Sequence, residues 1–123
     1  MSKPFEELDI WQRAIDLAIS VKKSTKYPAL RDDPDLRSQM RRAAVSIPSN
    51  IAEGYERSTA KDSFRFYSIA KASAGELRTQ IIIAEKSGDI DPQNSAKLRE
   101  QCVNLSRMLM GFMRSIRVRQ EDD

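Results

Sequence analysis

The sequence predicts an all-α fold: an antiparallel up-down-up-down four-helix bundle, one domain spanning residues 1–123. Three observations predict it. Four long segments carry apolar residues at intervals of three and four, the repeat of a single helix face. No segment sustains the period-two alternation of a half-buried strand, and glycine is scarce at four residues. Clusters of Pro, Gly and Asp separate the segments by a few residues only, and such short connections favour antiparallel neighbours.

The first helix is expected over about residues 8–26. Leu8, Trp11, Ile15, Ala18 and then Val21 or Lys22 trace one stripe, with Trp11 as its anchor. Glu6, Glu7 and Asp9 suit the positive end of the helix dipole, and Lys22, Lys23 and Lys26 the negative end. Pro28 is expected to stop this helix.

The second helix is expected over 34–57. Asp33 supplies an N-cap acceptor, and Pro34 takes the first helical position, where a missing N–H costs nothing. Leu36, Met40, Ala43, Ile47, Ile51 and Tyr55 form its stripe. Pro48 falls inside that run, where its ring pushes against the Ala44 carbonyl and removes one backbone bond. The stripe continues past it in phase, so the expected result is a kink and not an end.

The third helix is expected over 60–87, opened by Thr59 with Asp62 three residues later. Its stripe, Tyr67, Ala70, Ala74, Leu77, Ile81 and Ala84, has the alternating three-four spacing of a coiled-coil seam. Lys86 followed by Gly88 is a basic-then-glycine stop. Asp91-Pro92 repeats the Asp-Pro start and opens the fourth helix, expected over 92–119. Leu98, Cys102, Leu105, Leu109, Phe112 and Ile116 make its seam.

Composition excludes several functions. Lys and Arg number 21 against 18 Asp and Glu, a net charge of +3, with no His and one Cys. A disulfide scaffold, a thiolate or imidazole metal centre and His-based acid–base catalysis are excluded. No apolar run approaches the roughly 18 residues of a membrane span. The N-terminus lacks the apolar core of a signal peptide and Cys102 has no disulfide partner, so a cytoplasmic protein without membrane association is expected. Without His there is neither the Glu-x-x-His pair of di-iron bundles nor the Arg-x4-His signature of helical ribonucleases. There is no glycine-rich phosphate loop. Glu53, Glu76 and Glu85 lie on helices, where solvated carboxylates are ordinary, and Cys102 at a seam position reads as a small buried hydrophobe. The expectation is a protein that is not an enzyme and needs no metal or cofactor.

Two features exceed what one bundle core requires. The third helix carries Ala70, Ala72, Ser73, Ala74 and Gly75 nearly in succession, and a mid-helix glycine costing about 1 kcal/mol suggests a close backbone approach. The fourth adds Val103, Met108, Met110 and Met113 outside its seam, and the third adds Ile82 and Ile83. A second apolar surface implies self-association; a wide core stripe with scattered exposed methionines is the alternative.

Residues 41–54 read RRAAVSIPSNIAEG, preceded by FEELDIW at 5–11 and followed by FRFYSIAKASAGELRTQI at 64–81. Over about residues 5–119 the chain resembles the four-helix bundle proteins encoded in intervening sequences of bacterial 23S rRNA genes. The resemblance implies a short-looped bundle that assembles into a homo-oligomeric ring, commonly a pentamer. A distantly similar branch, the accessory variability proteins of diversity-generating retroelements, shares the ring and binds nucleic acid and a reverse transcriptase. Within the motif, Ser46, Ser49, Asn50 and Glu53 cluster around Pro48, with Gly54 near the helix end. The hydroxyls and the amide have a structural use, satisfying carbonyls freed by the proline. The functional reading instead makes Arg42, Ser49, Asn50 and Glu53 a polar site on one side of the helix.

Basic residues are the remaining signal. Arg41, Arg42, Arg57, Lys61 and Arg65 crowd the second helix and the turn after it. Arg99, Arg107, Arg114 and Arg117 recur on one broad side of the last helix, with Arg119 near its end. Guanidinium forks suit phosphates, and a ring would repeat each stripe by symmetry and multiply its field. These observations point to binding of RNA or DNA through the backbone. A protein–protein adaptor or scaffold ring, with the bases serving solubility, is the other expectation.

Overall fold

The computed structural model describes residues 3–122 along the backbone and residues 3–116 with their side chains. A 3-10 turn, Phe5–Glu7, precedes five helices: α1 (Asp9–Ser24), α2 (Pro28–Arg31), α3 (Pro34–Tyr55), α4 (Ala60–Lys86) and α5 (Pro92–Asp122). Among the described residues there is no strand. The four long helices fall on the four predicted segments, with ends shifted by less than a turn. The short α2 is new. Helix α1 ends at Ser24, and Pro28, expected as its stop, takes the first position of α2.

Caps fix where the helices begin. Asp33 Oδ1 accepts the Leu36 N–H at 3.2 Å, Thr59 Oγ1 that of Asp62 at 3.2 Å, and Asp91 Oδ1 that of Asn94 at 2.9 Å. Each such cap contributes about 1 kcal/mol. Helix α4 stops through Gly88, whose φ of +78° lies in the left-handed region. The Gly88 N–H reaches the Glu85 carbonyl at 3.0 Å and the Asp89 N–H that of Ala84 at 2.8 Å. These two bonds satisfy carbonyls that the helix end leaves open.

The long helices pack as a bundle. Helix α3 lies against α4, α4 against α5, and α1 against both α3 and α5. All six predicted seam residues of α4 are buried, as are Leu98, Cys102, Leu105 and Leu109 in α5. Phe112 and Ile116 pack on the core from its edge. In α3 the buried stripe is Met40, Ala43, Ile47 and Ile51, and the helix runs unbroken through the buried Pro48. Helix α1 differs from expectation. Its buried face is Ile10, Ala14, Leu17 and Val21; of the predicted stripe Leu8 and Val21 are buried, while Ile15 and Ala18 are half-buried, as is Trp11 beside Phe5 at 5.4 Å between ring centres.

Contacts between helices follow a consistent order. Ser46 Oγ and Ser73 Oγ share a hydrogen bond at 2.8 Å midway along α3 and α4. Further along α3, Gly54 lies against Tyr67, nearer the start of α4. Tyr67 in turn meets Phe112 edge-on at 5.0 Å. At the other end of α5, Asn94 Nδ2 donates to Ser24 Oγ at 3.1 Å, where α1 finishes.

Arg99 pairs with Glu85 at 3.1 Å, and its Nε donates to the buried Ser95 hydroxyl at 3.2 Å. A hydrogen bond from Ser95 holds the Glu85 carboxyl below its ordinary range, aided by the Arg99 charge against a desolvation that pushes upward. A depressed folded pKa contributes stability that is present above the unfolded value and lost as pH falls through the folded one. The acid limb of a stability–pH curve should therefore flatten in Glu85→Gln, read by urea midpoints across the carboxylate range. An unchanged acid limb would remove Glu85 from the account.

Candidate nucleic-acid interface

The RRAAVSIPSNIAEG stretch lies wholly within α3, and the structure divides its residues between two tasks. Asn50 Nδ2 donates to the Ser46 carbonyl at 2.8 Å and to Ser46 Oγ at 3.0 Å. The amide thus serves the Ser46 carbonyl, not that of Ala44 directly below Pro48. With Ser73 these groups form a polar node between α3 and α4. Pro48 and Gly54 are buried, whereas Arg42, Ser49 and Glu53 are exposed. Glu53 Oε2 accepts from Arg57 Nη2 at 2.6 Å. The four residues of the expected polar site therefore do not converge: Asn50 turns inward and Glu53 pairs one turn on.

The predicted bases also separate. Arg41 is half-buried and its Nε donates to Thr25 Oγ1 at 2.8 Å, while the Thr25 hydroxyl donates to the Lys22 carbonyl. Arg99 is held by Glu85 and Ser95. Both serve helix packing. Arg42 and Arg107 are exposed on α3 and α5. Arg114, also exposed, reaches Met110 Sδ at 3.6 Å. Arg117 and Arg119 have side chains outside the described residues.

Two of the predicted bases, Arg57 and Arg65, meet over one ring at one end of the bundle. The Arg57 guanidinium carbon lies 4.5 Å from the centre of the Phe66 ring, and that of Arg65 lies 4.9 Å from it. Lys61 stands one turn before Arg65 and is exposed. The negative face of the ring attracts both guanidinium groups. Among the described residues, Glu53 is the acid paired with Arg57, and no carboxylate lies within ion-pair distance of Lys61 or Arg65. Arg65 and Lys61 are exposed, and Arg57 keeps the donors that Glu53 does not take, so the turn makes a place for an anion with several acceptor oxygens.

Sequence reasoning missed two contributors. Phe66 was not singled out, although it directly follows Arg65. Lys71 lines a groove of about 490 Å³ between α4 and α5 with Phe64, Ser68, Ala72, Met110, Met113 and Arg114. Its half-buried position opposite α5 follows only from the packing of the two helices.

Other chemistry has little to work with. Among the described residues no group of three or more His, Cys, Asp or Glu side chains could hold a metal ion. No helix of the described residues is long and apolar enough to cross a membrane. Burial pushes the Cys102 thiol up to about 12, away from the reactive thiolate.

Fold and site together define a small all-α bundle whose proline-bearing helix stacks a polar node on its neighbour, with a cationic clasp at one end. The model of the 23S rRNA-intervening sequence proteins matches residues 6–111, and the chain belongs to that family. The chain is also similar to a crystal structure from Bacteroides thetaiotaomicron, a protein of unknown function from the S23 ribosomal protein family. The two share 16% sequence identity with a TM-score of 0.76, covering 85% of this chain and 97% of that one. That likeness is one of fold. Among curated proteins, none matches.

Proposed function

We propose that this protein is a non-catalytic, homo-oligomeric helical bundle that binds the phosphate backbone of RNA or DNA through its basic end. The Arg57–Phe66–Arg65 clasp with Lys61 beside it carries the reading, because it concentrates cations where no structural partner demands them all. By family resemblance the oligomer is a ring, commonly a pentamer, which would repeat the clasp around one rim. Such a rim would attract polyanions far more strongly than +3 on one chain suggests. A cytoplasmic setting suits Cys102 as a permanently reduced, buried thiol.

The test is fluorescence anisotropy of a labelled structured RNA at several salt concentrations. Each phosphate neutralised adds about 0.9 to the slope of log affinity against log salt. Arg57→Ala with Arg65→Ala should therefore lower the slope by about two units and weaken binding about 30-fold at physiological salt. Binding that ignores both substitutions would defeat the clasp. The adaptor reading draws on the exposed Met110 and predicts the reverse pattern: a partner lost on Met110→Glu, with little dependence on salt.

The architecture we infer beneath this site is antiparallel, up-down-up-down, with α3 kinked at Pro48. Contacts that climb α3 while descending α4 support the first part, Ser46 with Ser73 and then Gly54 with Tyr67. The missing N–H of Pro48 and its ring against the Ala44 carbonyl support the second. Pro48→Ala should straighten α3 and leave the fold intact. Removing an interior proline returns up to about 3 kcal/mol. Losing about two buried methylenes costs about 1.6 kcal/mol, and a freer unfolded chain up to about 1. Stability should thus stay within about 1 kcal/mol of wild type, measured by urea unfolding alongside a crystal structure of the variant. Global unfolding would sink the kink.

A further inference from the structure

The groove between α4 and α5 holds about 490 Å³, within the roughly 300–1,000 Å³ of sites that take a small molecule. It lies at the level of the Tyr67–Phe112 contact. Phe64, Ala72, Met110 and Met113 make its apolar part, and Lys71 and Arg114 add two cations. Among the described residues no carboxylate comes within ion-pair distance of either cation. Ser68 completes the lining. Its hydroxyl proton goes to the Phe64 carbonyl at 2.9 Å, which leaves the oxygen as an acceptor. An aromatic ring, an acceptor and two cations together suit a planar group that carries an N–H and is joined to an anion. The α1–α3 groove also has cations, Lys22 and Arg41, but no ring lines it.

The groove continues the clasp. Lys61, Arg65, Ser68 and Ala72 succeed one another on α4 at steps of four, three and four, along one side of the helix. The exposed Lys61 and Arg65 therefore lead into the line that Ser68 and Ala72 carry along the groove. On α5, Arg107, Met110 and Arg114 share a side in the same way, so a further exposed cation adjoins the groove there. Of the acids nearby on α4, Asp62 stands with Phe66 and Ser73 on the flank toward α3, and Glu76 lies a turn beyond Ala72.

We propose that the α4–α5 groove takes an unpaired nucleobase, stacked on Phe64 beside Met110 and Met113, while Lys71 and Arg114 hold the phosphates that flank it. The strand then runs on to Lys61 and Arg65. The inference rests on the phosphate-binding function proposed above and gives it a substrate class, a single strand. Bases inside a duplex are stacked and paired and cannot enter such a groove. Stacking on an aromatic side chain accepts every base, because each has a π-face. Methionine suits the rest of the lining, since its flexible thioether fills an irregular gap and contacts ring edges.

Anisotropy with labelled oligothymidylate, oligouridylate and an abasic strand of equal length tests this. All three carry the same phosphates, and only the first two carry bases. Both base-bearing strands should bind about tenfold tighter than the abasic one. Whichever of the two binds better names the sugar that the groove prefers, and either result supports the base site. Ala72→Leu, which fills the groove from an exposed position, should bring the ratio of base-bearing to abasic affinity to unity, as should Phe64→Leu. Arg57→Ala with Arg65→Ala should weaken all three strands in proportion. A ratio of unity in the wild type, which a second copy covering the groove would also give, overturns the base site and leaves the clasp standing. So does a ratio that survives Ala72→Leu in a folded variant. If no strand binds even at low salt, both proposals fall.

Discussion

Gly54→Ala should destabilise the protein by about 1–2 kcal/mol, although alanine is the better helix former. A Cβ at position 54 would sit 2.6 Å from Tyr67 Cε1, 2.9 Å from Cδ1 and 3.0 Å from Cζ. The ring can move only by giving up its packing: Tyr67 is 2% exposed and Phe112 meets it edge-on at 5.0 Å. Inserting a methyl into such packing costs about 1–3 kcal/mol, of which helix propensity returns up to about 1. Gly75→Ala and Gly111→Ala should do the opposite and gain up to about 1 kcal/mol, since nothing lies within 4 Å of a Cβ at either position. Urea midpoints at constant slope decide the matter. A second readout is independent of stability. Burial, and then the nearby Tyr55, push the Tyr67 hydroxyl up to about 12. A raised folded pKa contributes stability that is present below the unfolded value of about 10 and lost as pH climbs through the folded one. Displacing the ring in Gly54→Ala should bring its ultraviolet titration back toward ordinary tyrosine. Equal gains at all three glycines would mean that α3 and α4 do not meet as closely as described.

The glycines also mark where sequence reasoning ran out. A mid-helix glycine signals close approach only if a neighbour stands there, and the sequence does not place neighbours. Gly75 drew the inference and has open space; Gly54, near a helix end, has the contact. The stripes of α3, α4 and α5 were legible because each repeats over several turns without a rival. In α1 the expected stripe, Leu8-Trp11-Ile15-Ala18 with Val21 or Lys22, and the buried set Ile10-Ala14-Leu17-Val21 interleave, and the expected stripe placed Trp11 inside. Phe5 takes up the bulk of Trp11 at the edge of the core, leaving the smaller set inside. Four residues are too few for periodicity to register, so α2 was invisible and Pro28 looked like a stop.

For the candidate site the limit was similar. Arg57, Lys61 and Arg65 were visible as a run of charge across a turn. Their distinction from Arg41 and Arg99 was not, because it depends on partners far along the chain. Arg41 binds Thr25 sixteen residues away, and Arg99 binds Glu85 fourteen residues away on another helix. The serine node joins residues 27 apart. Spacing along one helix reports which side chains share a face; it says nothing of what the facing helix offers them.

Leu77→Ala should cost more than any other substitution considered, about 2–5 kcal/mol, and the reason lies in the residues around it. Helix α4 presents Ala70, Ala74 and Ala84 to the core, which brings its backbone close to its neighbours. Between them Leu77 and Ile81 supply most of the buried volume of the central turns, and both are fully buried. Alanines cannot lean into a vacated space, so a cavity at Leu77 should persist, and each Å³ that remains costs about 24 cal/mol beyond the transfer term. Ile83→Ala on the same helix makes the contrast. Ile83 is exposed, and its loss should stay within about 0.5 kcal/mol of zero in the isolated chain. The two variants differ by one buried seam position against one outward position, with nearly equal apolar volume removed. A small loss at Leu77 would show that α4 can close up, and the alanine-rich seam would then be a loose contact rather than the rigid support on which the Arg57–Phe66–Arg65 clasp stands.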